Sequence, residues 1–179
     1  MVTDRDLIER YLREGDAEAA RSLLRPHETG LFGYLWTMLR HQQDSEDALQ
    51  ETFRKALQAL PSYQERKHFK SWLFRIGHHT ALDLLRRRQK IVAWESPDWE
   101  ALPTEEPAPS ELLSHKERLA ELQAALDRLP EAEREVVGLR LHAELSFKEI
   151  AETLGAPLGT VLSRMHKAKE RLRSQLTPA

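Results

Sequence analysis

Between Leu158 and Leu176 two kinds of side chain recur at helical spacing. Val161, Met165, Ala168, Leu172 and Leu176 fall on one face; Arg164, Lys167 and Arg171 fall on another. Ammonium and guanidinium groups on one helical face donate hydrogen bonds to phosphates and base edges, which is recognition chemistry rather than bond-making chemistry. The preceding stretch supplies a mount. Ser146 and Glu149 have the spacing of a capping box, Gly155 gives a helix stop and Pro157 prevents continuation. A short helix, a tight turn and a basic amphipathic helix is the plan of a helix-turn-helix DNA reader, whose second helix lies in the major groove. Helical hairpins with charged faces also occur in proteins that bind no DNA. The turn chemistry and the one-sided basic face together favour the DNA reading.

A second group of polar side chains lies between Tyr63 and Lys70. Tyr63, Gln64, Arg66, Lys67, His68 and Lys70 bring aromatic, amide and cationic groups together. On the residues alone an ordinary solvated loop is the better reading of that combination, which an extruded base and a separated strand would also call for. Arg86, Arg87, Arg88 and Lys90 close a long helical stretch, where they complement the helix dipole and can meet phosphates. Earlier, Asp47, Gln50 and Glu51 form one acidic and amide face, with Asp44 and Glu46 at the dipole-favoured start of the same helix.

Other chemistries are excluded or left without support. The 179 residues include no cysteine, which removes disulfides and thiolate metal sites. Of the eight histidines, His78 and His79 are adjacent and cannot converge from one helix face, and no His-Glu-x-x-His spacing occurs, so no metal and no cofactor is expected. No apolar run approaches a membrane span, and Met1 to Asp6 lacks a signal-peptide pattern, so a cytoplasmic protein without membrane insertion is expected. The net charge of −2 conceals an uneven distribution: acidic residues concentrate between 96 and 117, and the flanking regions are slightly basic. So weak an overall charge implies feeble DNA binding by the chain alone.

The elements that position these groups are helical throughout. The pattern predicts helices over Asp4–Glu14, with Leu7, Ile8, Tyr11 and Leu12 inward, and from Asp16, with Ala20, Leu23 and Leu24 buried. A third starts near Pro26 and buries Leu31, Tyr34, Leu35, Met38 and Leu39. A fourth is capped by Asp44 or Ser45, buries Leu49, Phe53, Ala56 and Leu60, and stops at Pro61. A fifth runs from Phe69 to Lys90 with Trp72, Leu73 and Ile76 on an apolar face. Four prolines (97, 103, 107 and 109) with Asp98, Glu100, Glu105 and Glu106 mark an extended linker, in which Trp94, Trp99 and Leu102 suggest docking. Helices over Leu112–Leu129 and Glu131–His142 then lead into the helix-turn-helix. The expected fold is all-α: two small helical domains, 1–93 and 112–179, joined by a Pro-rich acidic linker over 94–111.

Three segments in this order resemble the extracytoplasmic-function sigma factors of bacterial RNA polymerase: Asp44–Phe53, Phe69–Arg88, and Leu129–Val137 continuing into Leu145–Leu172. With the linker, the resemblance spans nearly the whole chain. It implies a non-enzymatic protein that lends promoter specificity to core RNA polymerase. It implies that Asp44, Glu46, Asp47, Gln50 and Glu51 dock on the polymerase. Tyr63, Gln64, Arg66, Lys67, His68, Lys70, His79, Arg86, Arg87 and Arg88 then serve the promoter −10 element, and Thr160, Leu162, Ser163, Arg164, His166, Lys167 and Arg171 the −35 element. It also implies an anti-sigma partner as a possible regulator, and a linker that occupies the polymerase channel later taken by RNA. Two positions depart from the family pattern. His79 stands where many relatives carry asparagine, and Leu162 where a basic residue is usual; leucine can meet only a thymine methyl. The alternative is a stand-alone helix-turn-helix regulator that binds its promoter without polymerase.

Overall fold

The computed structural model describes residues 2–64, 68–92 and 121–176. Among these, every regular element is helical. The expected linker 94–111, Arg66, Lys67 and the side chain of Lys90 lie outside the described residues.

Helix α1 spans Asp4–Glu14. A capping box between Thr3 and Asp6 starts it and Gly15, at φ 66°, ends it. It buries no residue fully, and Leu12, expected inward, is 45% exposed because α1 presses only one narrow edge on its neighbours. Helix α2, Ala17–Leu24, is capped by the Asp16 carboxylate, which accepts from the backbone N–H of Glu18 and Ala19. Pro26 lies in a 3-10 turn, Arg25–His27, that hands over to α3, Glu28–Leu39. There Leu31, Tyr34, Leu35, Met38 and Leu39 are all buried.

Helix α4, Gln42–Ala59, starts earlier than the sequence suggests. The cap is His41, whose Nδ1 accepts from the Asp44 N–H, and a 3-10 turn at Leu60–Ser62 ends it. Its buried stripe also differs: the small residues Ser45, Ala48, Thr52 and Ala56 face inward, and Leu49 and Phe53 flank them half-buried. Small side chains let α4 lie close to α5, Phe69–Val92, where a Cβ on Gly77 would stand 3.6 Å from the Thr52 methyl. Tyr34 Oη and His78 Nδ1, 2.8 Å apart, tie α3 to α5.

The second helical group comprises α6 (helical from the first described residue, 121, to 127), α7 (Glu131–His142), α8 (Phe147–Leu154) and α9 (Leu158–Leu176). The α8–α9 turn has the expected chemistry: Ser146 and Glu149 form the capping box, and Gly155 adopts φ 61°. Val161, Met165 and Ala168 bury the inner face of α9, whereas Leu176 is 40% exposed past the end of the packed region.

The two groups share one continuous core. Helix α3 crosses α7, and α5 meets α8. The α3–α7 crossing is close because it is made of glycines. A Cβ on Gly30 would stand 2.5 Å from the His142 carbonyl oxygen, one on Gly33 2.5 Å from His142 Nδ1, and one on Gly138 3.0 Å from the Tyr34 ring. Thr37 Oγ1 donates to the Gly33 carbonyl at 2.9 Å, so His142 Nε2, 3.1 Å from the same oxygen, is the donor of that pair.

Candidate nucleic-acid interface

Helix α9 presents its expected readers in two sets. Leu162, Ser163, His166 and Lys167 form an exposed face opposite the buried Val161–Met165–Ala168 stripe. Arg164 and Arg171 turn toward α7 instead. Arg164 lies 3.9 Å from the Glu135 carboxylate, and Arg171 Nε donates to Glu133, which is only 6% exposed. Burial, reinforced by Glu131, raises the Glu135 pKa, and Arg164 opposes that shift. Thr160 is half-buried in the first turn, where its N–H donates to the Pro157 carbonyl. The four expected readers on this face are thus one cation, one imidazole that lies 3.4 Å from Glu170, one hydroxyl and one apolar tip, a mixture that suits base edges and a thymine methyl.

The second surface gathers at the start of α5. Tyr63 packs on Phe69 and Trp72, with ring centroids 5.8 and 4.9 Å apart, so its ring is part of an aromatic corner. Gln64 and His68 are exposed beside it. Trp72 is half-buried, with its edge on a cleft of about 410 Å³ that His68, Ser71 and Arg75 also line. Sequence reasoning missed Ser71 and Arg75. Their signal was available: Arg75 follows Trp72 by three and precedes His79 by four, on one helical face. His79 is exposed and its Nδ1–H donates to the Arg75 carbonyl at 2.8 Å, leaving Nε2 as an outward acceptor. Lys70 reaches Glu144 of the second group at 3.9 Å.

The basic end of α5 divides. Arg86 and Arg87 are exposed, Arg86 3.5 Å from Asp83. Arg88 folds back to pair with Asp44 and to donate to the Leu39 carbonyl, which fixes the start of α4 against α5. Asp44 is thereby drawn away from the acidic face. Glu46 accepts from Gln42 at 2.9 Å and Asp47 from Gln43 at 3.1 Å. Glu51 accepts from Nε and Nη2 of Arg54, which depress its pKa. Asp47, Gln50 and Glu51 remain as an outward strip along α4.

Two families match this chain in order: sigma-70 region 2 over residues 23–91 and sigma-70 region 4 over residues 125–174. The chain is 40% identical over 167 residues to the ECF RNA polymerase sigma factor SigE of Mycolicibacterium smegmatis. That match covers 90% of this chain and 64% of SigE, so the chain spans less than two thirds of that relative. It is 32% identical over 161 residues to the RNA polymerase sigma factor YlaC of Bacillus subtilis, covering 89% of this chain and 93% of YlaC. Among solved structures it is similar to CnrH in complex with the cytosolic domain of CnrY, with a TM-score of 0.72 and 26% identity over 97% of this chain and 96% of that one.

Proposed function

The chain belongs to the extracytoplasmic-function sigma factors of RNA polymerase, and from that premise we propose how its surfaces divide the work of promoter recognition. Its partners are core RNA polymerase and promoter DNA, and it performs no bond-making chemistry of its own. The outer face of α9 reads the −35 element: Ser163, His166 and Lys167 supply hydrogen bonds, and Leu162 supplies an apolar contact. Arg164 and Arg171 are held by α7 carboxylates and orient the helix toward phosphates. The start of α5, with Tyr63, Gln64, His68, Lys70 and His79, takes the opened −10 strand, and Arg66 and Lys67, adjacent in sequence, are assigned to the same task. Arg86 and Arg87 meet the duplex upstream, and Arg88 braces α4.

Asp47, Gln50 and Glu51 are the docking strip for polymerase, with Asp44 and Glu46 setting the start of its helix. Residues 1–93 and 112–179 act as the two functional domains and 94–111 as the tether. The observation that carries this reading is the coexistence, in one chain, of an exposed polar helix-turn-helix face and a separate aromatic and cationic corner. A single duplex reader has no use for the second. CnrH was solved with a second protein bound, which supports an anti-sigma partner for this chain too. No helix among the described residues is long and apolar enough to cross a membrane, and the protein acts in the cytoplasm beside the polymerase.

Run-off transcription with core polymerase tests the reading. Promoter-specific transcripts that appear only when this protein is added are expected. Sequence-specific duplex binding by the protein alone, without transcription, would instead establish the stand-alone regulator.

A further inference from the structure

Resting on the reading of α9 as the −35 reader, we propose that Leu158 and Leu162 together cover two neighbouring 5-methyl groups, a step of two adjacent thymines on one strand of that element. Leu158 is then a further specificity-determining residue of the site. Gly159, between the two leucines, lets the helix backbone come close enough to the base edges for the contact.

Leu158, Leu162, His166 and Glu170 follow one another at intervals of four along α9. Such a row forms one ridge on a helix. His166 and Glu170 end it as a polar pair, 3.4 Å apart. The first two members are apolar, and Leu158 is 45% and Leu162 44% exposed. Neither belongs to the buried core, which α9 meets through Val161, Met165 and Ala168. A single exposed leucine needs no explanation. Two on one ridge, continuous with the exposed Ser163, His166 and Lys167, make an apolar patch at the edge of a reading face. Base edges in the major groove offer one apolar group, the 5-methyl of thymine. Residues one helical turn apart have Cβ atoms about 5–6 Å apart, and bases stacked on one strand rise about 3.4 Å per step. The twist of the duplex adds a sideways displacement, so two leucine tips one turn apart can cover two neighbouring methyls. A purine edge in the same place would leave its polar atoms against hydrocarbon, so the patch also selects against purines on that strand.

Gly159 is the second, independent observation. Glycine inside a helix is unfavourable, so its presence has a reason. Gly33 answers a close packing partner, and Gly155 answers a left-handed turn. Gly159 has neither reason: its φ is not positive, and a Cβ there would meet nothing within 4 Å of the protein. It is exposed one turn before Ser163, on the side of the helix that faces outward. The clearance it provides is for something outside the chain, as where backbone approaches a ligand closely. The first two turns of the reading helix thus present apolar tips and bare backbone, and its polar readers follow.

The test uses holoenzyme assembled from core polymerase and the full chain, which selects from duplexes randomised across the promoter. The selected −35 element is expected to hold two adjacent thymines on one strand. Deoxyuridine in place of either thymine removes a methyl and leaves every hydrogen-bonding group. Each exchange should weaken holoenzyme binding about 4-fold, as the loss of one buried methyl does. Cytosine there should bind less well than thymine, and 5-methylcytosine should regain about the same factor. With Leu158→Ala and Leu162→Ala combined, at exposed sites that leave Tm unchanged, deoxyuridine and thymidine should bind alike. Gly159→Ala should raise Tm and still weaken binding to the selected duplex. A selected −35 element without neighbouring thymines, or one indifferent to deoxyuridine, overturns the inference and leaves α9 as the reader. A deoxyuridine penalty that persists in the double-alanine chain assigns the methyls to other residues and overturns it as well. Loss of polymerase affinity in that chain, with base selection intact, makes the pair a protein contact, and the inference falls. Undiminished binding by Gly159→Ala overturns the close approach. If holoenzyme selects no −35 sequence at all, the assignment of α9 itself fails, and this inference with it.

Discussion

The two surfaces proposed to meet DNA are built on opposite principles. The outer face of α9 is self-contained: a buried stripe of Val161, Met165 and Ala168 fixes its rotation, a capped turn fixes its start, and the readers follow from helical geometry. The start of α5 is assembled from a turn, an aromatic corner and a cleft whose far wall belongs to another part of the chain. A rigid helix suffices for a duplex groove of fixed shape. A separated strand has no fixed shape, so it is met by aromatic and cationic groups gathered from several parts of the chain rather than by one rigid helix. The first kind of surface can be always available, whereas the second depends on the rest of the molecule.

The largest way to break that contrast is through the shared core. Ile150 is fully buried on α8, which packs on α5, α7 and α9. Ile150→Ala is expected to cost about 2–5 kcal/mol, read from the urea midpoint, and to unfold both surfaces in one transition. Two separate transitions would show that the surfaces stand on independent cores. Acid is the next largest perturbation. Burial, then His79 and Arg86, depress the His78 pKa to about 4, against an ordinary value near 6.5. The unfolded chain therefore takes up this proton first, and stability is full above about pH 6.5 and falls as pH drops toward 4. His142 at the crossing is lowered by burial and adds a loss of the same sign. The His78 share is up to about 3 kcal/mol, and denaturant titrations between pH 7 and 4.5 should show it flattened in His78→Gln.

How far the sequence reveals each surface follows from the same contrast. The capping box at Ser146, the stop at Gly155 and the inner face of α9 were legible because each is a local rule over a few residues. So was the burial of Leu31, Tyr34, Leu35, Met38 and Leu39. The His41 cap was not: an imidazole accepting from Asp44 N–H competed with two better-known capping residues three and four positions after it. The inward turn of Ser45, Ala48 and Thr52 was hidden as well, because close helix packing selects small residues that a hydrophobicity pattern passes over. Partnerships between distant residues were the least legible. Nothing local shows that Arg88 belongs to Asp44, Arg171 to Glu133, or Ser71 to Glu149.

Smaller changes sharpen the comparison. Ser146→Ala removes one half of the capping box at the mouth of the cleft and should cost about 1 kcal/mol, seen as a lower Tm. Thr3→Ala breaks the equivalent box on α1, which buries no residue fully, and should leave the global transition almost unchanged. Equal losses would mean that α1 is as deeply coupled to the core as α8.

The smallest effect, and the most specific, belongs to His79. Its Nδ1–H is spent on the Arg75 carbonyl, one turn back, so the ring presents Nε2 as a single acceptor beside the strand-binding corner. An asparagine amide offers a donor and an acceptor side by side, and its shorter reach does not keep the Arg75 contact at the same time. His79→Asn should leave Tm unchanged, because the residue is exposed. It should alter the ranking of −10 variants in run-off transcription a few-fold, about what one exchanged hydrogen bond of roughly 1 kcal/mol supplies. The −35 ranking should stay fixed, because no part of α9 moves. A change in both rankings would mean that the two surfaces communicate through the shared core, and an unchanged −10 ranking would remove His79 from the reading surface altogether.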